Sequence, residues 1–171
     1  MMRKNWMVRG GKLRRHRPRK DAKGNLTVLA LKKDVWQVFS RYIRRRDCLR
    51  QGGFAVGRCC TCGRIYPFEK LQAGHFVDGR NNSILFDERG VHAQCHGCNM
   101  FKGGAKLEYH DYMMRNYGAN VIEELRRKSH IAVPFTVPRL NFQLLLWLNA
   151  LATLDPGDVL VAKYRKKGII L

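Results

Sequence analysis

Cys59-Cys-Thr-Cys-Gly63 and Gln94-Cys-His-Gly-Cys-Asn99 bracket the stretch that decides the fold, and Gln72-Ala-Gly-His-Phe76 lies between them. Cys59-x-x-Cys62 and Cys95-x-x-Cys98 are knuckles. A two-residue gap suits a tight turn that aims both sulfurs at one tetrahedral centre, so the two pairs predict a Zn(Cys)₄ site. Cys60 fits that geometry less well and is expected to be a spare thiol beside it. A pair of disulfides would use the same cysteines. The basic N-terminal stretch carries no hydrophobic core behind its charges, which does not read as a secretory signal and favours metal in a reducing, cytoplasmic setting.

Thirty-two residues separate Cys62 from Cys95, where a plain zinc ribbon needs about 15–20. The surplus must carry something of its own. His75 ends a strand-like run from Ile65 to Phe76, and Asn99 follows the last cysteine, where the chain should enter a helix. The predicted order is knuckle, strand ending in His75, loop, strand, knuckle, Asn99, helix. It places His75 and Asn99 on facing parts of a hairpin-plus-helix unit, with zinc as the staple.

The chain has 171 residues and a formal charge of +20, an excess that points to a polyanion, nucleic acid first. No apolar run is long enough to span a bilayer, so no membrane partner is expected. Residues 1–25 hold Arg14, Arg15 and Arg17 among many basic residues and read as a flexible arm on DNA phosphates. Leu26 to Leu31 suggests a short strand or extended link, and Asp34 can cap a helix over 34–47 with Val35, Trp36, Phe39, Tyr42 and Ile43 inward. Its other face offers Arg41, Arg44, Arg45 and Arg46, with Arg50 beyond, for phosphate contact. Ile84 to Glu88 reads as extended. Lys106 to Tyr117 predicts a helix ending at Gly118. Leu140 to Leu151 is apolar on nearly every side and must be covered, by its own core or by a second subunit. Val159 to Tyr164 and Ile169 to Leu171 suggest a terminal hairpin. The expected division is therefore an arm over 1–25, a zinc-stapled domain over 26–130, and a C-terminal unit over 131–171 that could serve a homodimer.

Phe39-Ser-Arg-Tyr-Ile-Arg-Arg-Arg-Asp47, the cysteine stretches, Gln72 to Phe76, Phe86-Asp-Glu88, Leu107-Glu-Tyr109 and Tyr117-Gly118 stand in an order that resembles the phage NinG/Rap recombination endonucleases, a branch of the HNH (ββα-metal) nucleases. The likeness covers about residues 30–130. It implies an α+β fold: a treble-clef-like, zinc-stapled HNH core with flanking helices. It also implies a structure-selective DNA endonuclease that cleaves branched recombination intermediates, such as Holliday junctions and D-loops. Structural zinc and catalytic Mg or Mn come with it. His75 would be the general base and Asn99 a ligand of the catalytic cation.

Such chemistry needs a base for water, charge stabilisation at phosphorus and help for the leaving oxygen, and a neutral imidazole suits the first task near pH 7. The chain departs from the pattern in two places. Gly74 stands where many HNH enzymes carry Asp or His as a metal ligand, and the middle Asn falls near Gly90. A hard cation wants carboxylates. Asp87 is the first choice, with Asp78 and Glu88 open, and Asn81 or Asn82 could brace the loop. His92 is an alternative active histidine, while His96 is expected to be exposed in the knuckle. Two rival readings share the charge and the cysteines: a non-catalytic zinc nucleic-acid-binding protein, and an HNH endonuclease for linear duplex DNA.

Overall fold

The computed structural model describes residues 20–169, except 23, 25, 51, 52 and 80. Most of the expected basic arm, with Arg14, Arg15 and Arg17, lies outside the described residues. Leu31, Val35, Val38, Phe39 and Ile43 fall on one helical stripe and are buried in α1 (Val28–Leu49). The Thr27 hydroxyl caps that helix, accepting from the Ala30 amide at 3.3 Å. The helix thus begins before Asp34 and takes in most of the expected strand at Leu26 to Leu31. A competent cap already stands at Thr27, and Leu31 extends the buried stripe by one turn.

Two short hairpins follow. β1 (Val56–Arg58) pairs antiparallel with β2 (Ile65–Pro67). β3 (Leu71–His75) pairs antiparallel with β4 (Val91–Cys95), Leu71 opposite Cys95 and His75 opposite Val91. Side chains alternate across a strand. Leu71, Ala73 and His75 therefore share the face that packs on α1. Gln72 and Gly74 share the other face with His92 and Gln94, under α2 (Lys106–Ser129). Gly118 interrupts α2 at φ 77°, ψ 170°, where a helix end was expected, and a second helical stretch follows at once. Phe76, Ile84, Tyr109, Met113, Ile122 and Leu125 form a core beneath it.

The segment Ile84 to Glu88 is not extended. It is a run of turns leading to a 3-10 turn at Glu88–Gly90, whose first turn Asp87 caps through the Arg89 amide. α3 (Val137–Leu154) is capped by Thr136 and lays Leu140, Leu144, Trp147, Leu148 and Leu151 against α1, in a core that runs from Leu31 to Tyr164. The expected terminal hairpin is replaced by α4 (Val159–Arg165), with Ile169 in the bend beyond it and residues 170 and 171 outside the described ones. Asp158 caps α4 through the Leu160 amide at 2.8 Å. Leu160, Val161 and Tyr164 are buried at helical spacing, which alternation along a strand would not achieve. The architecture is α+β. No helix among the described residues is long and apolar enough to cross a membrane.

Candidate metal centre and catalytic hairpin

The first knuckle is the turn joining β1 to β2. The second lies where β4 runs into a π-helical turn, Gly97–Phe101. The turns are held by backbone amides, Gly63 donating to the Cys59 carbonyl at 3.0 Å and Cys98 to the Cys95 Sγ at 3.4 Å. The Cys59, Cys62, Cys95 and Cys98 sulfurs all lie within 4.8 Å of one another. Zn–S bonds of about 2.3 Å at tetrahedral angles would set sulfurs about 3.8 Å apart, so both donors and spacing fit zinc. Burial pushes the Cys98 thiol up to about 12. Burial also opposes a charge on Cys59, but the Thr61 hydroxyl and nearby backbone amides outweigh it and bring that thiol to about 7. A divalent cation is what would let all four ionise together. Cys60 stands outside the cluster, its thiol raised by burial.

His75 closes β3 on the α1 side of the sheet. Its ring stacks on Trp36, centroids 5.2 Å apart and planes 18° from parallel, and Nε2 lies 3.1 Å from the Leu85 carbonyl. A carbonyl only accepts, so Nε2 carries a proton, and in the neutral form of the ring the lone pair would be on Nδ1. Asn99 lies in the π-helical turn. Its Nδ2 donates to Gln72 Oε1 at 2.7 Å, which turns Oδ1 toward Gly74. A Cβ at position 74 would sit 1.9 Å from Gln94 Oε1 and 3.1 Å from Asn99 Oδ1. Glycine is therefore required there, because Gln94 fills the space a side chain would need. Gln94 is itself oriented by its Nε2 donating to the Gly104 carbonyl at 2.9 Å. Trp36, Arg44, Gln72, Asn99 and Met100 line one open cleft of about 430 Å³.

The carboxylates are elsewhere. Asp87 takes both Arg89 Nε (2.9 Å) and Nη2 (2.7 Å), with Lys128 Nζ at 3.5 Å. Burial opposes its charge, yet Arg89 and Lys128 hold it below the usual carboxylate range. A metal there would have to displace two cations. Asp78 is exposed and pairs with Lys106, and Glu88 accepts from Tyr42 at 2.8 Å. Among the described residues, the four cysteines are the one group of three or more His, Cys, Asp or Glu gathered closely enough to hold a metal. For a hard catalytic cation the donor set is thin: Asp87 is committed to Arg89 and Lys128, and Asn99 is held by Gln72 with its Oδ1 toward Gly74. Asn81 and Asn82 do brace the loop, donating to the Ser129 carbonyl at 2.6 Å and the Val133 carbonyl at 3.0 Å.

His92 belongs to a buried network instead. It is fully buried, its Nε2 meets the Arg89 carbonyl at 3.1 Å, and Arg46 Nη2 reaches its Nδ1 at 3.0 Å. That bond uses the lone pair a base would need, and burial lowers the ring's pKa. Asp47 accepts from the Ala93 amide at 2.8 Å and from Arg46 Nε at 2.9 Å. Burial works against its charge, but His92 and Arg46 outweigh it and hold the carboxyl down to about 2. Asp47→Ala should therefore cost about 3–5 kcal/mol in urea denaturation, because Arg46 would stay buried without its nearer counter-ion, leaving only Glu88 at 3.4 Å. A loss under about 1 kcal/mol would show that the network relaxes.

Arg46, expected to meet phosphate, is instead buried and bonded to Asp47, the Glu88 and Val91 carbonyls and His92. Arg41 pairs with Asp158, and Arg45 with Asp155 at 2.8 Å. Arg41, Arg44 and Arg45 also crowd the Phe68 ring at 5.1, 4.6 and 4.0 Å. These side chains fasten α1 to its neighbours, and of the α1 set only Arg50 is exposed. The fold instead gathers Arg50, Arg58 and Arg115, all exposed, around a cleft of about 300 Å³ beside the first knuckle. Sequence reading passed over Arg58 and Arg115, which stand singly and meet only in the fold.

A profile of the family described as "Bacteriophage Lambda NinG protein" matches residues 9–149. Among curated relatives, "Protein ninG" of Escherichia phage 933W is 28% identical over 94 residues, 54% of this chain and 43% of that protein. "Protein ninG" of Escherichia phage lambda is 27% identical over 94 residues, 54% of this chain and 42% of the relative. The alignments therefore span less than half the length of these relatives. No solved structure matches.

Proposed function

This chain belongs to the bacteriophage lambda NinG family, and on that footing we propose that it is a metal-dependent DNA endonuclease of the HNH type. The observation that carries the reading is the hairpin itself. His75, its tautomer set by the Leu85 carbonyl, ends β3 on the α1 face of the sheet, Asn99 Oδ1 stands on the opposite face at Gly74, and the zinc cysteines clamp the far end. In this reading His75 Nδ1 takes a proton from water as the water oxygen bonds to phosphorus. The P–O3′ bond breaks, and O3′ leaves to be protonated from solvent. Asn99 would hold a magnesium or manganese ion, which would supply charge stabilisation at the phosphate.

DNA is the proposed partner. Arg50, Arg58 and Arg115 should carry its phosphates, aided by the basic residues of 1–25. Replacing any one of the three by Ala should reduce the slope of log affinity against log salt by about 1, whereas Arg46→Ala should cost stability and leave the slope alone. An unchanged slope in all three would place the DNA elsewhere. Symmetric cutting of a junction needs two active sites, and the exposed Phe142, Leu145 and Leu146 of α3 offer a homodimer surface. Thiolate ligands for zinc would suit the reducing cytoplasm of a bacterial host.

The second reading is a non-catalytic zinc DNA-binding protein, and the commitment of Asp87 to Arg89 and Lys128 favours it. The deciding test is cleavage of a labelled four-way junction beside a matched linear duplex, with Mg²⁺ or Mn²⁺ and with EDTA. The proposal expects junction products that EDTA abolishes. Equal cutting of both substrates would support a duplex endonuclease. Binding with no cutting under any cation would support the second reading.

A further inference from the structure

The π-helical turn that positions Asn99 also carries the most exposed large apolar side chain of the described fold. Phe101 is 82% exposed and Met100 beside it 58%. Burying an aromatic ring is favourable, so a ring held this far out invites a partner. Its orientation is built. The ring meets His96 edge to face, centroids 5.1 Å apart at 90°. His96 Nδ1 accepts from Gln72 Nε2 at 2.9 Å, and the same Gln72 amide accepts through Oε1 from Asn99. One glutamine thus fixes both the proposed metal ligand and the platform against which Phe101 rests. Met100 forms part of the cleft with Asn99 and Trp36, and exposed Lys102 and Lys106 flank the turn.

Apolar rings rimmed by cations match a nucleobase rimmed by phosphates. A base inside a continuous duplex has both faces covered by its neighbours, whereas a base at a strand discontinuity or branch has one face open. We infer that Phe101 stacks on an unstacked nucleobase of DNA and so supplies the preference for branched over continuous duplex. This rests on the DNA-endonuclease reading above but is tested without cleavage.

Affinity is measured with no added Mg²⁺ or Mn²⁺ for a four-way junction and for a linear duplex of the same sequence, with 2-aminopurine placed at the crossover. Phe101→Ala should weaken junction binding about tenfold, the effect of losing one stacked base. Duplex binding should stay within about twofold of wild type, and the change in 2-aminopurine fluorescence on binding should disappear. Phe101→Trp should retain both. Zinc content and circular dichroism confirm that each variant is folded. Unchanged junction affinity, or an equal loss on both substrates, would overturn the inference. So would a Phe101→Ala protein that binds DNA normally but loses a dimer seen in light scattering, since a second copy would then be the ring's partner. An inactive wild-type protein that still shows the Phe101 dependence would sink the nuclease reading and leave this one standing.

Discussion

His75→Ala should cut a four-way junction about 10²–10⁴-fold more slowly than wild type while keeping its zinc, its fold and its DNA affinity, the usual span for removing a general base. The argument is geometric. Nε2 donates to the Leu85 carbonyl at 3.1 Å, which makes Nδ1, a buried atom that water would have to reach, the ring's proton acceptor, and stacking on Trp36 leaves few other orientations. His92, the alternative, has its Nδ1 lone pair used by Arg46 and no exposed surface. If His75→Ala cuts at near wild-type rate, neither ring nitrogen is the base, and a metal-bound hydroxide must take its place. Asn99→Ala should behave differently, raising the Mg²⁺ or Mn²⁺ concentration needed for half-maximal rate, because it is the proposed ligand and not the base. His75→Gln separates loss of the base from loss of packing, since a glutamine can still donate to the Leu85 carbonyl.

Cys98→Ser should abolish the cooperative fold. The thiol is buried, and its cluster joins the β1–β2 turn to the end of β4 and the start of the π-helical turn. The hairpins are only three and five residues long per strand. Such short pairs are marginal alone, so metal binding and folding should be coupled. The expected result is about one zinc per wild-type chain and loss of the near-UV signal and of bound zinc in the variant. Cys60→Ser, outside the cluster, should keep both. A well-folded wild-type preparation containing no zinc would remove the metal from the account.

The four-cysteine cluster was legible because knuckle spacing is local. A two-residue gap dictates turn geometry whatever the rest of the chain does. The strand ending at His75 and the helix break at Gly118 were legible for the same reason. The arginines were not. Arg41, Arg44, Arg45 and Arg46 look like one basic run, and only the fold reveals Asp155 and Asp158, more than a hundred residues away in sequence, as partners for two of them. The role of Gly74 was also hidden. Its missing side chain looked like a lost metal ligand, yet the pairing of β3 with β4 brings Gln94 into the same space. Val159 to Tyr164 misled because a short apolar run fits strand or helix equally, and the Asp158 cap decides only when Leu160 and Tyr164 find the α1 core. Asp87 was chosen for its place in a family-like stretch, which says nothing of Arg89 and Lys128 closing on it.

The central claim is that this zinc-clamped hairpin hydrolyses DNA with His75 as base. Its most direct measurement is the single-turnover rate of strand cleavage in an end-labelled four-way junction. Zinc-loaded wild type and His75→Ala are compared across a Mg²⁺ titration. The account predicts wild-type cleavage that rises with Mg²⁺ and saturates, with His75→Ala flat near background at equal DNA occupancy. Cleavage at background by both proteins at every Mg²⁺ and Mn²⁺ concentration, with the DNA fully bound, would contradict it.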